Sequence, residues 1–417
     1  MDHTTRLALI RRVQLAFAVT RDAVTQASKD DVRPGSADAA PYTRPLVLQK
    51  VVAELSMLLG CVRGVSPSLT PTVDEIAREL GPLARGFDHL ARLCQEPALA
   101  LDHAMAHIHL AAIGYPDEHT DRVLELIVRE HSAGSPERLP FRDLESEWLQ
   151  QMWRGSSSAP SPELLGRTCV ARPLDALAST TTDLYIFTHV ILHATDMGRR
   201  AVSWPRSEDA VVADAEAGIA AAIDADNFDL TTELLWAWPM MGLEWSPTAT
   251  FAFDLLTAAQ DEYGFLPGPE WSADTASELA IDERTAYCLR TSYHANLVMG
   301  LLCAAILRRG TGPFDTVRTV CGHDRFDDAM QAVINHGRLP RWQLAIAALD
   351  HTRQDTLVEL VLTIAIRRAS HQHDFDQLRR CLSLWLRLDL PHGPAVDQCL
   401  ALLRRATMVA CLGAGTT

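Results

Sequence analysis

Apolar residues recur along the chain at the three- and four-residue spacing of amphipathic helices. In residues 4–27, Leu7, Ile10, Leu15, Ala18 and Val19 fall near one helical face. The same period returns in residues 46–62, 72–93, 98–113, 120–131 and 144–153. Strand-like alternation of β-branched residues is scarce, so the pattern predicts an all-α fold.

Two stretches interrupt this pattern. KDDVRPGSADAAPYTR, residues 29–44, is rich in Pro, Gly, Ser and Asp and predicts an exposed loop. RGSSSAPSP, residues 154–162, has the composition of a linker. It separates an N-terminal helical region, 1–153, from a region of helical hairpins, 163–417, although the two can also form one continuous domain.

The C-terminal region contains an internal repeat. Phe228, Phe326 and Phe375 are each followed by an aspartate; the second and third copies are 49 residues apart, and the first precedes the second by 98. Pro247 and Pro394 keep the same offset from their phenylalanines. Each Phe-Asp pair is predicted to begin a helix, with the aspartate in the first turn at the positive end of the helix dipole. Stacked hairpins of this length predict an α/α toroid or, alternatively, an open α-solenoid.

One loop favours the toroid. Gln260-x-x-x-Gly264-Phe265 resembles the Gln-x-x-x-Gly-x-Trp repeat of toroidal terpene cyclases and prenyltransferases, with Leu266 in place of the tryptophan. The resemblance covers about one hairpin. It implies a closed ring of helices and no prenyl chemistry.

Composition excludes several classes of function. The net charge of −15 argues against nucleic-acid and anionic-membrane partners. Lys29 and Lys50 are the only lysines, and the sequence contains neither a GxxxxGK[ST] nor a GxGxxG loop, so no nucleotide cofactor is predicted. Nine cysteines without a CxxC pair, no signal peptide and no apolar run of membrane-spanning length predict a cytoplasmic protein with reduced thiols.

The densest group of ionisable residues on an apolar face lies in TDLYIFTHVILHATDMGRR, residues 182–200. His189, His193 and Asp196 occur at i, i+4 and i+7, which is one stripe of a helix. Two imidazoles one turn apart can share a metal ion, and the carboxylate can act as a third ligand or orient a histidine. Asp183, near the start of this helix, is interpreted as a helix-start group.

A second helix, SYHANLVMGLLCAAIL, carries Tyr293 and His294 near its start. Together with the stripe, His294 completes a candidate site for Zn²⁺, Fe²⁺ or Cu. In the absence of metal, a histidine–aspartate pair can perform general acid–base catalysis. Alternatively, these histidines are hydrogen-bonded core residues.

Other clusters are interpreted as structural. His103, His107 and His109 have no evident carboxylate partner. The acidic run from Asp224 to Asp229 lacks the glycine and final glutamate of a calcium loop and predicts a turn followed by a helix cap. Asp324, Asp327 and Asp328 belong to the repeat.

FTHVILHATDMG and TSYHANLVMGLLCAAIL resemble uncharacterised Arg- and Ala-rich helical proteins of actinomycetes that occur beside natural-product biosynthesis genes. This resemblance implies a role in secondary metabolism but no particular reaction. The sequence therefore predicts an enzyme acting on a small-molecule substrate in a helical cavity, with His189, His193, Asp196, Tyr293 and His294 at its site. The alternative is a non-catalytic helical-repeat protein that binds a protein or peptide.

Overall fold

The chain folds into α-helices joined by short turns. The computed structural model describes residues 1–31, 46–130, 137–313, 325–333 and 339–414, and these ranges contain no β-strand. The all-α prediction is confirmed. Of the loop predicted at residues 29–44, Lys29 belongs to the first helix and residues 32–44 lie outside the described ranges, as does Asp324.

Among the described residues, eight α-helices precede the predicted linker: α1 (His3–Asp31), α2 (Leu48–Val62), α3 (Thr70–Arg85), α4 (Phe87–Gln95), α5 (Ala100–His103), α6 (Met105–Ala112), α7 (Glu118–Glu130) and α8 (Pro140–Trp153). Those that follow among the described residues are α9 (Pro162–Arg167), α10 (Thr181–Ala194), α11 (Glu208–Asp224), α12 (Phe228–Leu234), α13 (Ala237–Met241), α14 (Pro247–Tyr263), α15 (Ala273–Glu278), α16 (Ile281–Arg309), α17 (Arg325–Gln331), α18 (Arg341–Ala347), α19 (His351–Asp355), α20 (Val358–His371), α21 (Phe375–Arg387) and α22 (Pro394–Ala414). Short 3₁₀ helices occupy Pro67–Leu69, Pro97–Leu99 and Cys169–Ala171.

Helix α16 organises the part of the fold that holds the site. It packs along α1 and also contacts α2, α12 and α13, while α10 packs against both α8 and α12. Most of α16 from Tyr293 to Leu307 is buried, so most of its side chains there contact neighbouring helices rather than water. Residues distant in sequence on α2, α10, α12 and α16 are thereby brought around one cavity.

The contact between α1 and α16 depends on small residues. Arg290 near the start of α16 pairs with Asp30 near the end of α1, at 2.7 Å, whereas Gly300 lies opposite Ala16. The two helices therefore run antiparallel. A Cβ at Gly300 would lie 2.5 Å from the Cβ of Ala16 and 3.2 Å from Leu58, so close approach requires glycine here.

Gly300→Ala is expected to lower the free energy of unfolding by about 1–3 kcal/mol, because the added methyl group must push the two helices apart. Urea unfolding measures the effect. Gly166→Ala is the control, since a Cβ there meets no atom within 4 Å. Equal stability of both variants would contradict close packing at this contact.

The repeat marks helix starts, as predicted. Its three Phe-Asp pairs lie in the first turns of α12, α17 and α21, and its two prolines begin α14 and α22. Closure of the hairpins into a toroid stays a prediction, as does the division at residues 153–163. Helices α1 and α2 from before that division pack against α16 from after it.

No helix in the described ranges has both the length and the apolar character needed to cross a membrane.

Candidate functional site

The site begins with two carboxylates on α12. Asn227 caps this helix by accepting a hydrogen bond from the Leu230 amide at 3.1 Å, and Phe228 anchors the first turn in the core. Asp229 and Glu233 follow at i and i+4, so both side chains lie on one face. Asp229 is only 4% exposed and Glu233 only 1%. Two carboxylates buried this deeply are costly unless a cation or proton compensates their charge.

His294 on α16 compensates Asp229. Its Nδ1–H donates to Asp229 Oδ1 at 2.7 Å, and the Tyr185 hydroxyl donates to Asp229 Oδ2 at 2.5 Å. Although burial opposes the charged form, the neighbouring Asp229 carboxylate raises the pKa of His294 to about 10. Burial likewise opposes ionisation of Asp229, but the His294 imidazolium lowers the pKa of that carboxyl. At neutral pH the two therefore form an ion pair.

Glu233 is compensated less completely. The Thr188 hydroxyl donates to Glu233 Oε2 at 2.6 Å, whereas Oε1 is buried without a hydrogen-bond partner among the described residues. Burial, and then repulsion from Asp229, raises the pKa of Glu233. A nearby cation would offset this shift, because it stabilises the ionised carboxylate.

His189 on α10 lies beside this carboxyl group. Its Nδ1 is 3.7 Å from Glu233 Oε2 and 2.7 Å from the carbonyl oxygen of Tyr185. Because a carbonyl only accepts, Nδ1 carries the proton in this hydrogen bond, and Nε2 is the nitrogen that can accept a proton. The His189 side chain is partly exposed to the cavity.

Glu54 on α2 completes the polar group. Its Oε1 is 3.7 Å from His294 Nε2 and 3.6 Å from Lys50 Nζ. Tyr293 is buried next to it, and burial together with the Glu54 charge raises the pKa of the phenol. His294 therefore lies between Asp229 on one side and Glu54 on the other.

Glu54, His189, Asp229, Glu233 and His294 all line a cavity of about 850 Å³. Volumes of about 300–1,000 Å³ are usual for small-molecule sites. Within it, one ligand atom each from Asp229, Glu233 and His294 lie within 4.8 Å of one another. Two carboxylates and an imidazole so placed can hold a divalent cation.

The structure brings together most of the residues predicted from sequence. His189, His193, Tyr293 and His294 all line the cavity, and the rings of His189 and His193 are 5.9 Å apart. His193 is nevertheless turned toward other partners: it stacks on Trp148 at 4.8 Å, and its Nε2 is 3.9 Å from Glu145 Oε1. Burial, and then the nearby His189, lower its pKa well below the usual histidine value.

Asp196 does not join this group. Helix α10 ends at Ala194, and Asp196 lies in the following turn with a left-handed φ of 49°. Its carboxylate accepts a hydrogen bond from Trp148 Nε1 at 2.7 Å and lines a different pocket. The i+7 spacing therefore does not put Asp196 on the face that carries the two histidines.

Asp229, Glu233 and Glu54 line the cavity but are not predicted as site residues from the sequence. The repeat predicts a structural role for Asp229, and Asp229 does lie in the first turn of its helix. One difference between the repeat copies distinguishes Asp229 in the sequence. Four residues after the repeat aspartate, the first copy has a second carboxylate, Glu233, whereas the other copies have Gln331 and Arg380. The equivalent Asp376 has a side chain that is 78% exposed.

The remaining clusters have separate structural partners. His103 pairs with Glu96 and His107 with Asp121, both at 2.9 Å, so these histidines do not converge. Asp224 pairs with Arg368 at 2.6 Å.

Comparison with known proteins identifies the family. The family model described as a domain of unknown function (DUF6895) matches residues 21–304, which is more than half of the chain. This range includes the residues of the buried group and crosses the predicted division at 153–163. No curated protein and no solved structure matches the chain. The chain therefore belongs to the DUF6895 family.

Proposed function

We propose that this protein is an enzyme of small-molecule metabolism that holds a divalent cation at Asp229, Glu233 and His294. The observation that carries the proposal is the Glu233 carboxyl group, which is almost fully buried and leaves Oε1 without a partner. A cation between the two carboxylates would supply that partner and neutralise the second charge. Buried carboxylates with no such role would be replaced at little cost by apolar residues.

The donor set indicates which metals fit. Two carboxylates and one imidazole suit Zn²⁺ and Fe²⁺. When bound, such an ion would polarise a substrate oxygen or lower the pKa of a bound water. His189 would supply a base at Nε2, since its Nδ1–H is held by the Tyr185 carbonyl.

The same side chains could also act without a bound metal ion. In the metal-free state the His294 imidazolium is an acid hydrogen-bonded to Asp229, and burial raises the pKa of Glu233. General acid–base catalysis by these groups is the second candidate. The toroidal ring, the cytoplasmic location and the place in secondary metabolism stay predictions.

Calorimetric titration with Zn²⁺ tests the proposal. Wild-type protein is expected to bind one ion, and Glu233→Gln is expected to weaken binding at least tenfold, because the amide cannot provide a charged ligand. Asp376→Asn is the matched control: it alters an exposed aspartate at the equivalent repeat position and should bind Zn²⁺ like the wild type. Absence of Zn²⁺ and Fe²⁺ binding by wild type would overturn the metal proposal.

Thermal unfolding without metal separates loss of binding from misfolding. Because burial raises the pKa of Glu233, the ionised side chain opposes folding above its ordinary titration range. Glu233→Gln is therefore expected to raise the unfolding midpoint at pH 8 while it weakens metal binding. A variant that loses both stability and binding would instead indicate a structural role for Glu233.

A further inference from the structure

A second pocket lies behind the wall of the main cavity. Trp148 lies between this wall and the second pocket: its ring stacks against His193, which lines the main cavity, at 4.8 Å, and contacts the tilted ring of His109 at 5.3 Å. The second pocket has a volume of about 310 Å³ and is bordered by His109, Trp148, Asp196 and Arg199 among others. None of the residues that line it also lines the main cavity.

Positive charge dominates this pocket. Arg63, Arg199 and Arg200 line it, against the single carboxylate of Asp196. Arg63 is neutralised by Asp74 outside the pocket. Asp196 Oδ1 already accepts the Trp148 hydrogen bond and lies 3.5 Å from Arg199. One carboxylate therefore faces two further guanidinium groups.

Arg199 and Arg200 are otherwise held by neutral acceptors. Arg199 donates to the carbonyl oxygen of Gly60. Arg200 donates to the carbonyl oxygens of His193, at 3.0 Å, of Ala194, at 2.9 Å, and of Ser158, and to the side-chain oxygen of Gln151 at 2.8 Å. Carbonyl oxygens orient a guanidinium group but do not cancel its charge. In a chain with a net charge of −15, this pocket is a local site of attraction for anions.

His109 adds a buried polar group without a partner. The residue is 1% exposed, and its Nε2 makes no hydrogen bond to the described residues. Burial, and then the charge of Arg199, lower its pKa to about 3, so the ring is neutral. A Cβ at Gly60 would lie 3.2 Å from His109 Nδ1, so a side chain there would crowd the ring. An anion beside these groups would accept from the arginines and favour the imidazolium.

We propose that this second pocket binds a small oxyanion, such as a phosphate or carboxylate group, between Arg199, Arg200 and His109. Guanidinium groups form charge-assisted hydrogen bonds with such oxygens and are the side chains best suited to them. This site is independent of the proposed metal site.

Calorimetric titration with inorganic phosphate, without added metal and at constant ionic strength, tests this site. Saturable binding is expected for wild type, and at least tenfold weaker binding for Arg199→Gln. Arg387→Gln is the control, since Arg387 is an exposed arginine paired with Asp328. A parallel titration with acetate distinguishes a site that prefers phosphate from one that prefers carboxylates, and either result supports an oxyanion site.

Nuclear magnetic resonance of labelled histidine provides a second readout. Phosphate is expected to raise the pKa of His109 from about 3, because an adjacent anion stabilises the imidazolium. His109→Gln assigns the signal. No saturable binding of phosphate or acetate, equal loss in the Arg199 and Arg387 variants, or an unchanged His109 pKa would overturn the proposal. Loss of phosphate binding in Glu233→Gln would place the anion in the main cavity and overturn it as well.

Discussion

Asp229→Asn is expected to lower the free energy of unfolding by about 3 kcal/mol, because it removes the anion that compensates a largely buried imidazolium. Asp229 accepts from both His294 and Tyr185, so the amide would disturb two hydrogen bonds at once. The other carboxylate that pairs with His294, that of Glu54, lies 3.7 Å away, too far to replace a 2.7 Å contact. This is the largest stability effect that we expect from a single isosteric change.

Urea unfolding at pH 7 measures this loss, and Asp376→Asn provides the comparison at the equivalent position of the repeat. Asp376 has an exposed side chain paired with Arg379 on the same helix, so its replacement should cost less than about 0.5 kcal/mol. A double variant, Asp229→Asn with His294→Gln, should recover part of the stability. Equal effects of the two single asparagine variants would show that Asp229 and His294 do not form a stabilising pair.

The second large expected effect is on metal affinity, which should rise about tenfold for each pH unit between pH 6 and 8. A metal ion binds neutral imidazole, so His294 must release the proton that it holds with a pKa of about 10. Affinity should therefore increase about 100-fold across the two pH units.

Zn²⁺ titrations in buffers with different ionisation enthalpies measure both quantities. The observed heat should change with the buffer in proportion to the protons released, with at least one released per ion at pH 7. Affinity that does not change between pH 6 and 8, or a heat independent of the buffer, would exclude His294 as a ligand. The test also separates His294 from His193, whose lowered pKa would give no proton release in this range.

In the absence of metal, the shifted pKa values of His294 and Asp229 determine how the stability of the fold changes with pH. His294 has a folded-state pKa above its ordinary value of 6.5, so its contribution is complete below pH 6.5 and is lost as pH rises through about 10. Asp229 has a lowered pKa, so its contribution is present above about pH 4 and is lost as pH falls through the folded-state value. The ion pair therefore stabilises the fold most between about pH 4 and pH 6.5.

Several features of this protein follow from its sequence alone. The helical period of the apolar residues determines the all-α class, and the Phe-Asp pairs and prolines determine where helices begin. Local sequence also places His189 and His193 on one face of α10, since four residues make about one turn. The sequence also predicts His294 as a further residue of the site, and in the structure it lines the same cavity.

Only the tertiary structure determines which helix faces pack against one another. Helical spacing predicts which side chains lie on the same face of a helix. It does not predict whether that face contacts solvent or another helix. Asp229 and Asp376 hold the same repeat position, yet only Asp229 faces α16, where His294 compensates its charge. Asp196 has the spacing of a ligand, but α10 ends two residues before it, and the turn carries it to the second pocket. The candidate site depends on the packing of α2, α10 and α12 around α16, which joins residues more than 200 positions apart, such as Glu54 and His294.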